Sequence, residues 1–137
     1  MKKIILLIIL PFIIKSQNPA EINTNEIKSS PAEKTENTKE QKKQLLESYR
    51  QRILNGENFG ALARLYSEYP GSAKEGGRYS NVAKGAMVPE FEEVASRLKP
   101  GEISEIFETQ YGFHFMQLIQ RKGDLYDVRH ILLLLPK

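Results

Sequence analysis

The hydrophobic positions that follow residue 40 recur at helical spacing. In the segment KEQKKQLLESYRQRILNGENF, the residues Leu45, Leu46, Tyr49 and Ile53 fall on one face of a helix, because residues three and four apart lie on the same side. Gly56 comes soon after this pattern and is typical of a helix end. The pattern therefore predicts a helix that buries these four residues and stops at Gly56.

Two shorter segments also have the signals of helices. The segment NFGALARLYS begins with Asn58 as a cap and offers Phe59, Leu62 and Leu65 for burial. The segment PEFEEVASRL begins with Pro89, which suits the first turn of a helix. Between them lies EYPGSAKEGGRYSNVAKGAMV, a stretch rich in glycine and serine that predicts a loop.

The last third of the chain changes to strand patterns. KPGEIS predicts a turn, EIFET a short strand, and YGFHFMQLIQRKGDLYDVRHILLLLPK two apolar strands joined by a short polar turn. Each of the two long strands carries one of the chain's only two histidines, His114 and His130. Helices followed by a few antiparallel strands predict an α+β fold.

The first 17 residues have the pattern of a secretory signal peptide. Lysines at the start precede an apolar run from Ile4 to Ile14, which is too short to span a membrane. An N-terminal segment that stays uncleaved and anchors the protein in the inner membrane is the alternative. Residues 18–38 are polar and contain two prolines, which predicts a disordered linker. Residues 39–137 then form the folded domain.

Charge and composition exclude several functions. The chain has 20 Lys and Arg against 17 Asp and Glu, but three of the lysines (Lys2, Lys3 and Lys15) lie in the predicted signal peptide, so the mature protein is neutral. A neutral domain without a basic stripe argues against nucleic-acid binding. The absence of cysteine excludes disulfides and thiol chemistry. Two histidines without a compact carboxylate cluster predict no metal site.

Ordered motifs between Gly56 and Leu118 resemble the body of a parvulin-type peptidyl-prolyl isomerase domain. They are a Gly-x-x-Phe junction, the YSEYPGSAKEGG loop, the pair Met87 and Phe91, the LKPGEIS turn and the YGFHF strand, all in the family's order. The resemblance implies a four-stranded antiparallel sheet flanked by helices, isomerisation of Xaa-Pro bonds and no cofactor. The implied partners are unfolded or extended proline-containing polypeptides, and the implied location is the periplasm.

In parvulins, two histidines on neighbouring strands share a hydrogen-bond network with a threonine or serine. The resemblance assigns this catalytic role to His114, His130 and Thr109, the last as the hydroxyl partner. The family's first strand, which carries one of the histidines, is missing from its usual place, and VRHILLLL stands at the end of the chain instead. We expect the C-terminal segment to supply the missing strand, as in a circular permutation. The alternative is that it begins a second domain of a tandem protein.

The faces of the two histidines depend on the loop between their strands. Side chains alternate between faces, so a two-residue turn at 123–124 would put the histidines on opposite faces of the sheet. A three-residue loop, 122–124, sets His130 across from Met116 and leaves His114 diagonal to it on the same face. We therefore predict an odd-length loop, histidines on one face, and a central position for the last strand, because its ILLLL segment is apolar on both faces.

The remaining candidates concern the substrate. Met87 and Phe91 lie four residues apart at the start of a predicted helix, so they share a face and can form an apolar cup for proline, although ordinary core packing is the alternative. Tyr69 stands where active family members usually have Asp or Cys, and GGRYS, which contains Tyr79 and has Arg78 at an aspartate position, replaces the family's GGDLG. We assign Tyr69 to the catalytic set and Tyr79 to the substrate-binding set.

These departures keep two functions open. Tyrosine carries no charge at neutral pH, so the replacement of a carboxylate by Tyr69 predicts weakened isomerisation. The first function is a prolyl isomerase that assists the folding of exported proteins. The alternative is a non-catalytic chaperone or adaptor that uses the same groove to bind proline-containing extended peptides.

Overall fold

The computed structural model describes the backbone of residues 31–137 and the side chains of residues 38–137. The predicted signal peptide and residues 18–30 of the predicted linker lie outside this part. The first helix begins at Pro31, so residues 31–38, which we expected to be disordered, are helical and the linker prediction is wrong there. Within the described residues, none of the helices is long and apolar enough to cross a membrane.

The described chain forms four helices and one four-stranded antiparallel sheet. The helices are α1 (Pro31–Leu54), α2 (Phe59–Tyr66), α3 (Pro70–Ala73) and α4 (Pro89–Arg97). The strands are β1 (Arg78–Ala83), β2 (Phe107–Glu108), β3 (Gly112–Lys122) and β4 (Leu125–Leu134), in the spatial order β1-β4-β3-β2. The predicted α+β class with a four-stranded antiparallel sheet is confirmed.

The segment between α2 and α4 is more regular than its composition predicts. We expected a loop, but it contains the short helix α3 and the edge strand β1. Its glycines do not prevent strand formation because β1 takes its hydrogen bonds and its register from β4, a partner distant in sequence. Tertiary pairing therefore overrides the local turn signals here.

The last strand, β4, lies in the centre of the sheet between β1 and β3. This position confirms the expectation that the C-terminal segment supplies a strand of this sheet. It also explains the apolar composition of ILLLL, because a central strand has helices on both faces and no edge exposed to solvent.

The β3–β4 hairpin has a shorter loop than we predicted, yet it keeps the predicted pairing of the histidines. Lys122 pairs with Leu125, so the loop has two residues, and Gly123 provides a positive φ of 57°. A β-bulge between Leu118 and Gln120 then inserts one extra residue into β3 and shifts the register by one. Beyond the bulge, the register returns to the one that an odd-length loop would have produced.

Two hydrophobic clusters cover the two faces of the sheet. On one face α1 and α2 pack against β3 and β4, and on the other α4 packs against β1, β3 and β4. Leu46 and Leu62 are buried as predicted, whereas Leu45 is 47% and Leu65 is 71% exposed. A helix that packs on a sheet buries only a narrow stripe of its surface, and both exposed leucines lie outside that stripe, so these two burial predictions are wrong.

The end of the α3–β1 connection is fixed by close contact with β4. The backbone oxygen of Gly77 accepts a hydrogen bond of 3.0 Å from the backbone N–H of His130. A Cβ atom at position 77 would lie 2.2 Å from the backbone oxygen of His130, so only glycine fits. Gly77 also has a positive φ of 78°. The position of His130 therefore depends on a backbone contact that any side chain at residue 77 would break.

We predict that Gly77→Ala destabilises the domain more than Gly85→Ala. Both glycines have positive φ, 78° and 89°, but a Cβ at Gly85 would meet nothing within 4 Å. Gly85→Ala should cost about 1–2 kcal/mol from the backbone conformation alone. Gly77→Ala should cost about 1–3 kcal/mol more, because β4 must move away. Urea denaturation of the two variants measures the difference, and equal losses would contradict the steric role of Gly77.

Candidate functional site

Four aromatic rings lie in a row across one face of the sheet, one from each strand. Phe107 of β2 stacks on His114 of β3 at a centroid distance of 5.2 Å. His114 stacks on His130 of β4 at 5.8 Å, and His130 stacks on Tyr79 of β1 at 4.9 Å. The ring of Phe91 of α4 lies nearly perpendicular to both histidine rings, at centroid distances of 6.2 and 5.6 Å. The predicted placement of both histidines on one face is confirmed.

Three rings of the row, those of Tyr79, His130 and His114, line a cavity of about 240 Å³. Ten residues line it: Tyr69, Tyr79, Ala86, Met87, Val88, Phe91, Tyr111, His114, His130 and Leu132. This set contains six of the seven residues that the sequence singled out. The cavity is smaller than the roughly 300–1,000 Å³ of sites for drug-sized ligands, and its size suits one ring or a short peptide segment.

Each histidine is held by a hydroxyl group behind the cavity. Thr109, the seventh predicted residue, lies outside the lining and places its Oγ1 2.7 Å from Nε2 of His114. Its Oγ1 also accepts a hydrogen bond of 3.2 Å from the backbone N–H of Tyr111. On the other strand, Oγ of Ser72 lies 2.8 Å from Nε2 of His130. The two hydroxyls fix the orientations of the two imidazole rings.

Both imidazoles are neutral at pH 7. Burial lowers the pKa of His114 to about 4. Burial, together with the nearby His114, lowers the pKa of His130 to about 3. The Nδ1 atom of each ring is buried and has no hydrogen-bond partner among the described residues. The site therefore presents two fixed, uncharged imidazoles rather than a cationic pair.

The tyrosines extend this uncharged surface to the mouth of the cavity. Burial, the main cause, raises the pKa of the Tyr79 hydroxyl to about 12, so this group stays protonated. Tyr69 is 42% exposed, and its ring lies 6.1 Å from that of His130. Arg78, which replaces an aspartate of the family pattern, does not line the cavity and instead lies 3.3 Å from the carboxylate of Asp127. As a result, the lining contains no lysine, arginine or carboxylate.

Sequence reasoning missed three residues of this arrangement. Ser72 belongs to the predicted loop and was not assigned to the site, although a second buried histidine needs a second hydroxyl. Phe107 lies in the predicted short strand, where pairing with His114 makes its ring a neighbour of the imidazole. Tyr111 lines the cavity beside the predicted strand. For Ser72, the sequence offered one signal, the need of a second histidine for a hydroxyl partner, but this signal did not distinguish Ser72 from the other serines. For Phe107 and Tyr111 the sequence offered no signal.

We predict that the domain loses stability as the pH falls from about 6.5 to about 4. The unfolded chain takes up a proton at each histidine near pH 6.5, whereas the folded chain does so only near the lowered pKa values of about 4 for His114 and about 3 for His130. Each histidine should remove about 1.4 kcal/mol of unfolding free energy per pH unit in this window.

Urea denaturation at several pH values between 7.5 and 5 measures this slope. His114 and His130 are the only histidines in the chain, so the variant with both changed to glutamine should lose the slope above pH 5. A slope of the same size in the double variant would show that other groups cause it.

The comparisons with known proteins agree with the residue pattern. The family model described as "Rotamase: PPIC-type PPIASE domain" matches residues 22–120, which is more than half of the chain. The matched range ends before β4. The strand that completes the sheet therefore lies outside the family match.

Among curated proteins, the chain is similar to the chaperone SurA of Nitrosococcus oceani, with 46% identity over 58% of this chain and 18% of that protein. It is also similar to the foldase protein PrsA 3 of Bacillus anthracis, with 42% identity over 53% of this chain and 26% of that protein. A crystal structure of the peptidylprolyl isomerase PrsA from Bacillus cereus has a TM-score of 0.56 and 37% identity, and covers 59% of this chain and 31% of that chain.

The chain thus spans less than a third of each of these proteins. What the match establishes is the family of the domain that these residues form. Since the family model covers more than half of the chain and the fold agrees, the chain belongs to the PPIC-type rotamase family, that is, to the parvulin-type peptidyl-prolyl isomerase domains.

Proposed function

We propose that this protein is a peptidyl-prolyl isomerase that acts on proline-containing segments of exported, incompletely folded polypeptides. The observation that carries the proposal is the pair of neutral, hydroxyl-anchored imidazoles in the wall of an uncharged aromatic cavity. Membership of the rotamase family and the similarity to a chaperone and a foldase support the same reaction.

The reaction requires the protein to favour a twisted amide over a planar one. Rotation about an Xaa-Pro bond has a barrier of about 20 kcal/mol because resonance keeps the amide planar. No covalent bond is made or broken, so binding must be stronger in the twisted state. An uncharged cavity that excludes water disfavours the more charge-separated planar amide, and thereby lowers the barrier to rotation.

We assign the roles of the site residues on this basis. Met87 and Phe91 hold the proline ring by apolar contact on one side of the cavity. His114 and His130 line the cavity beside this contact as fixed neutral groups near the rotating amide. Thr109 acts as a positioning residue, because its hydroxyl contacts Nε2 of His114 and not the cavity.

We assign the tyrosines and the N-terminal segments in the same way. Tyr69, in the position of a catalytic Asp or Cys, and Tyr79, beside His130, line the peptide's path into the cavity. Residues 1–17 act as the signal peptide that brings the protein to the periplasm, with an uncleaved inner-membrane anchor as the alternative. Residues 18–30 then connect this segment to the domain, which includes α1.

A specific observation favours a second function. The cavity lining contains no carboxylate, and Tyr69 occupies the position where active family members usually place Asp or Cys. A groove of this kind can bind a proline-containing segment without accelerating its rotation. The protein would then serve as a non-catalytic chaperone or adaptor.

We expect the full chain to accelerate cis–trans exchange of a short proline peptide in NMR exchange spectroscopy. Phe91→Leu should reduce the exchange rate and the peptide affinity at least tenfold per folded molecule, because it removes the ring next to both histidines. Phe59→Leu is the matched control: Phe59 is 4% and Phe91 is 3% exposed, but Phe59 belongs to the cluster on the opposite face. It should lower stability by a similar amount and leave exchange unchanged.

Peptide peaks that shift at an unchanged exchange rate would favour the binding-only function. Equal effects of Phe91→Leu and Phe59→Leu on affinity would show that Phe91 contributes only to the core. In that case the cavity would not be the binding site.

We predict that Tyr69→Asp raises the exchange rate several-fold, because it restores a charged acceptor beside His130. Tyr111→Asp is the matched control, since Tyr111 also lies at the mouth of the cavity and is 53% exposed. It adds the same charge at a different place and should leave the rate unchanged. An unchanged rate in Tyr69→Asp with normal peptide binding would show that this loop does not limit catalysis.

A further inference from the structure

Asp127 carries a buried carboxylate that takes no part in lining the cavity. Its side chain is completely buried, although cationic groups reach it from the surface. The carboxylate accepts hydrogen bonds of 2.7 Å from the backbone N–H of Asn81 and of 2.7 Å from Nε2 of Gln120. Arg78 and Lys122 each approach it to 3.3 Å. The proposed reaction does not explain why this buried carboxylate, with its full set of partners, is present.

Both β-bulges of the sheet lie opposite Asp127. In β1, Ser80 and Asn81 lie between the pairs Tyr79–Val128 and Val82–Tyr126, so two residues face one. In β3, one extra residue lies between the pairs Leu118–Val128 and Gln120–Asp127. Asp127 therefore contacts both irregular strands: it binds the backbone of Asn81 in the first bulge and the side chain of Gln120 next to the second.

The two bulges decide which side chains share a face with His130. Without the bulge in β3, the register at the turn would place His114 opposite Leu133 and thus on the other face of the sheet. Without the bulge in β1, the register at Ala83 would likewise move Tyr79 to the other face. The two rings that flank His130 in the row both depend on these bulges.

The bulge in β1 requires an unfavourable backbone conformation. Asn81 has a φ of 54°, the only positive φ of a non-glycine residue in the described part of the chain. Asparagine adopts this conformation more readily than most residues, but it still needs support. The hydrogen bond from its N–H to the Asp127 carboxylate supplies that support, and Lys122 additionally contacts Oδ1 of Asn81 at 3.3 Å.

We propose that Asp127 is a positioning residue that holds both β-bulges and thereby keeps Tyr79 and His114 on the same face as His130. The hydrogen bond from Asn81 is the main reason that the pKa of Asp127 lies well below its usual range, with Gln120 adding to it, so the carboxylate is ionised at neutral pH. The inference concerns the geometry of the ring row. Its link to catalysis rests on the proposed function.

The test uses the two histidines as NMR probes in the full chain. Because there are only two, their Cε1–H signals and their contacts with the Tyr79 ring are resolved in one spectrum. In Asp127→Ala, we expect the contact between Tyr79 and His130 to be lost, and the pKa of His130 to rise by at least about one unit towards 6.5 as water reaches the ring. Asp124→Ala, the same change at an exposed position of the same hairpin, should leave both unchanged.

Rescue separates positioning from general stability. Asn81→Gly removes the cost of the positive φ, so it should restore the Tyr79–His130 contact in the Asp127→Ala background. Leu46→Ala truncates a completely buried residue of the other cluster, and should lower the melting temperature without altering either histidine signal. If folded Asp127→Ala keeps wild-type histidine signals, the carboxylate only stabilises the fold and the proposal is wrong.

If Asp127→Ala does not fold, the bulge in β1 is tested by substitutions at Asn81, whose backbone N–H donates the hydrogen bond to Asp127. Asn81→Val disfavours a positive φ while Asp127 keeps its side-chain partners, and Asn81→Gly preserves it. The valine variant should lose the Tyr79–His130 contact and the glycine variant should keep it. Identical, wild-type-like spectra for both would overturn the proposal.

The rate of proline exchange is measured separately from the histidine signals. If the wild-type protein accelerates proline exchange, Asp127→Ala should reduce the rate at least tenfold per folded molecule and Asp124→Ala should not. If the wild-type protein has no activity, the proposed function fails, while the histidine signals still decide the positioning role.

Discussion

The stacked row of four rings joins all four strands of the sheet at the site. Neighbouring strands lie about 4.8 Å apart, and the centroid distances of 5.2, 5.8 and 4.9 Å follow that spacing, so each strand contributes one ring to a continuous stack. Such a stack requires four residues from different parts of the chain to face the same side of the sheet. The chain meets this requirement through its strand order, its two bulges and the central position of β4.

The row also explains the electrical neutrality of the site. Two imidazoles enclosed by the rings of Phe107, Tyr79 and Phe91 have little access to water, and loss of water penalises the protonated form. Hydroxyl groups at their Nε2 atoms can hold the rings in place without adding charge. Charged groups are kept elsewhere: Arg78 and Lys122 pair with Asp127 instead of entering the cavity. The chemistry available to the site is therefore desolvation and orientation of a bound amide.

Several errors in the sequence predictions have one physical origin. The loop between β3 and β4 was predicted to have three residues because same-face histidines need that parity in a regular hairpin. The chain reaches the same parity with a two-residue turn and a bulge, next to which Gln120 donates a hydrogen bond to the buried carboxylate of Asp127. In the same way, β1 forms in a glycine-rich segment because β4 pairs with it. Contacts between residues distant in sequence decided these features.

Local sequence signals were enough to predict α2, α4, most of α1, the long strands, the family and six of the residues that line the cavity, because these depend on periodicity, on cap and turn residues, and on short motifs. Asn58, for example, caps α2 with a hydrogen bond of 2.9 Å from the N–H of Ala61, as its position predicts. The bulges that bring Tyr79 and His114 to the face of His130, and the choice of Ser72 as the hydroxyl partner of His130, became visible only in the folded chain. The face on which a side chain lies depends on every residue between it and its paired position, and each bulge residue changes that face. The bulge at Asn81 is bound by the carboxylate of Asp127, which is more than forty positions away in the sequence. Local sequence patterns do not reveal contacts between residues that are so far apart in the chain.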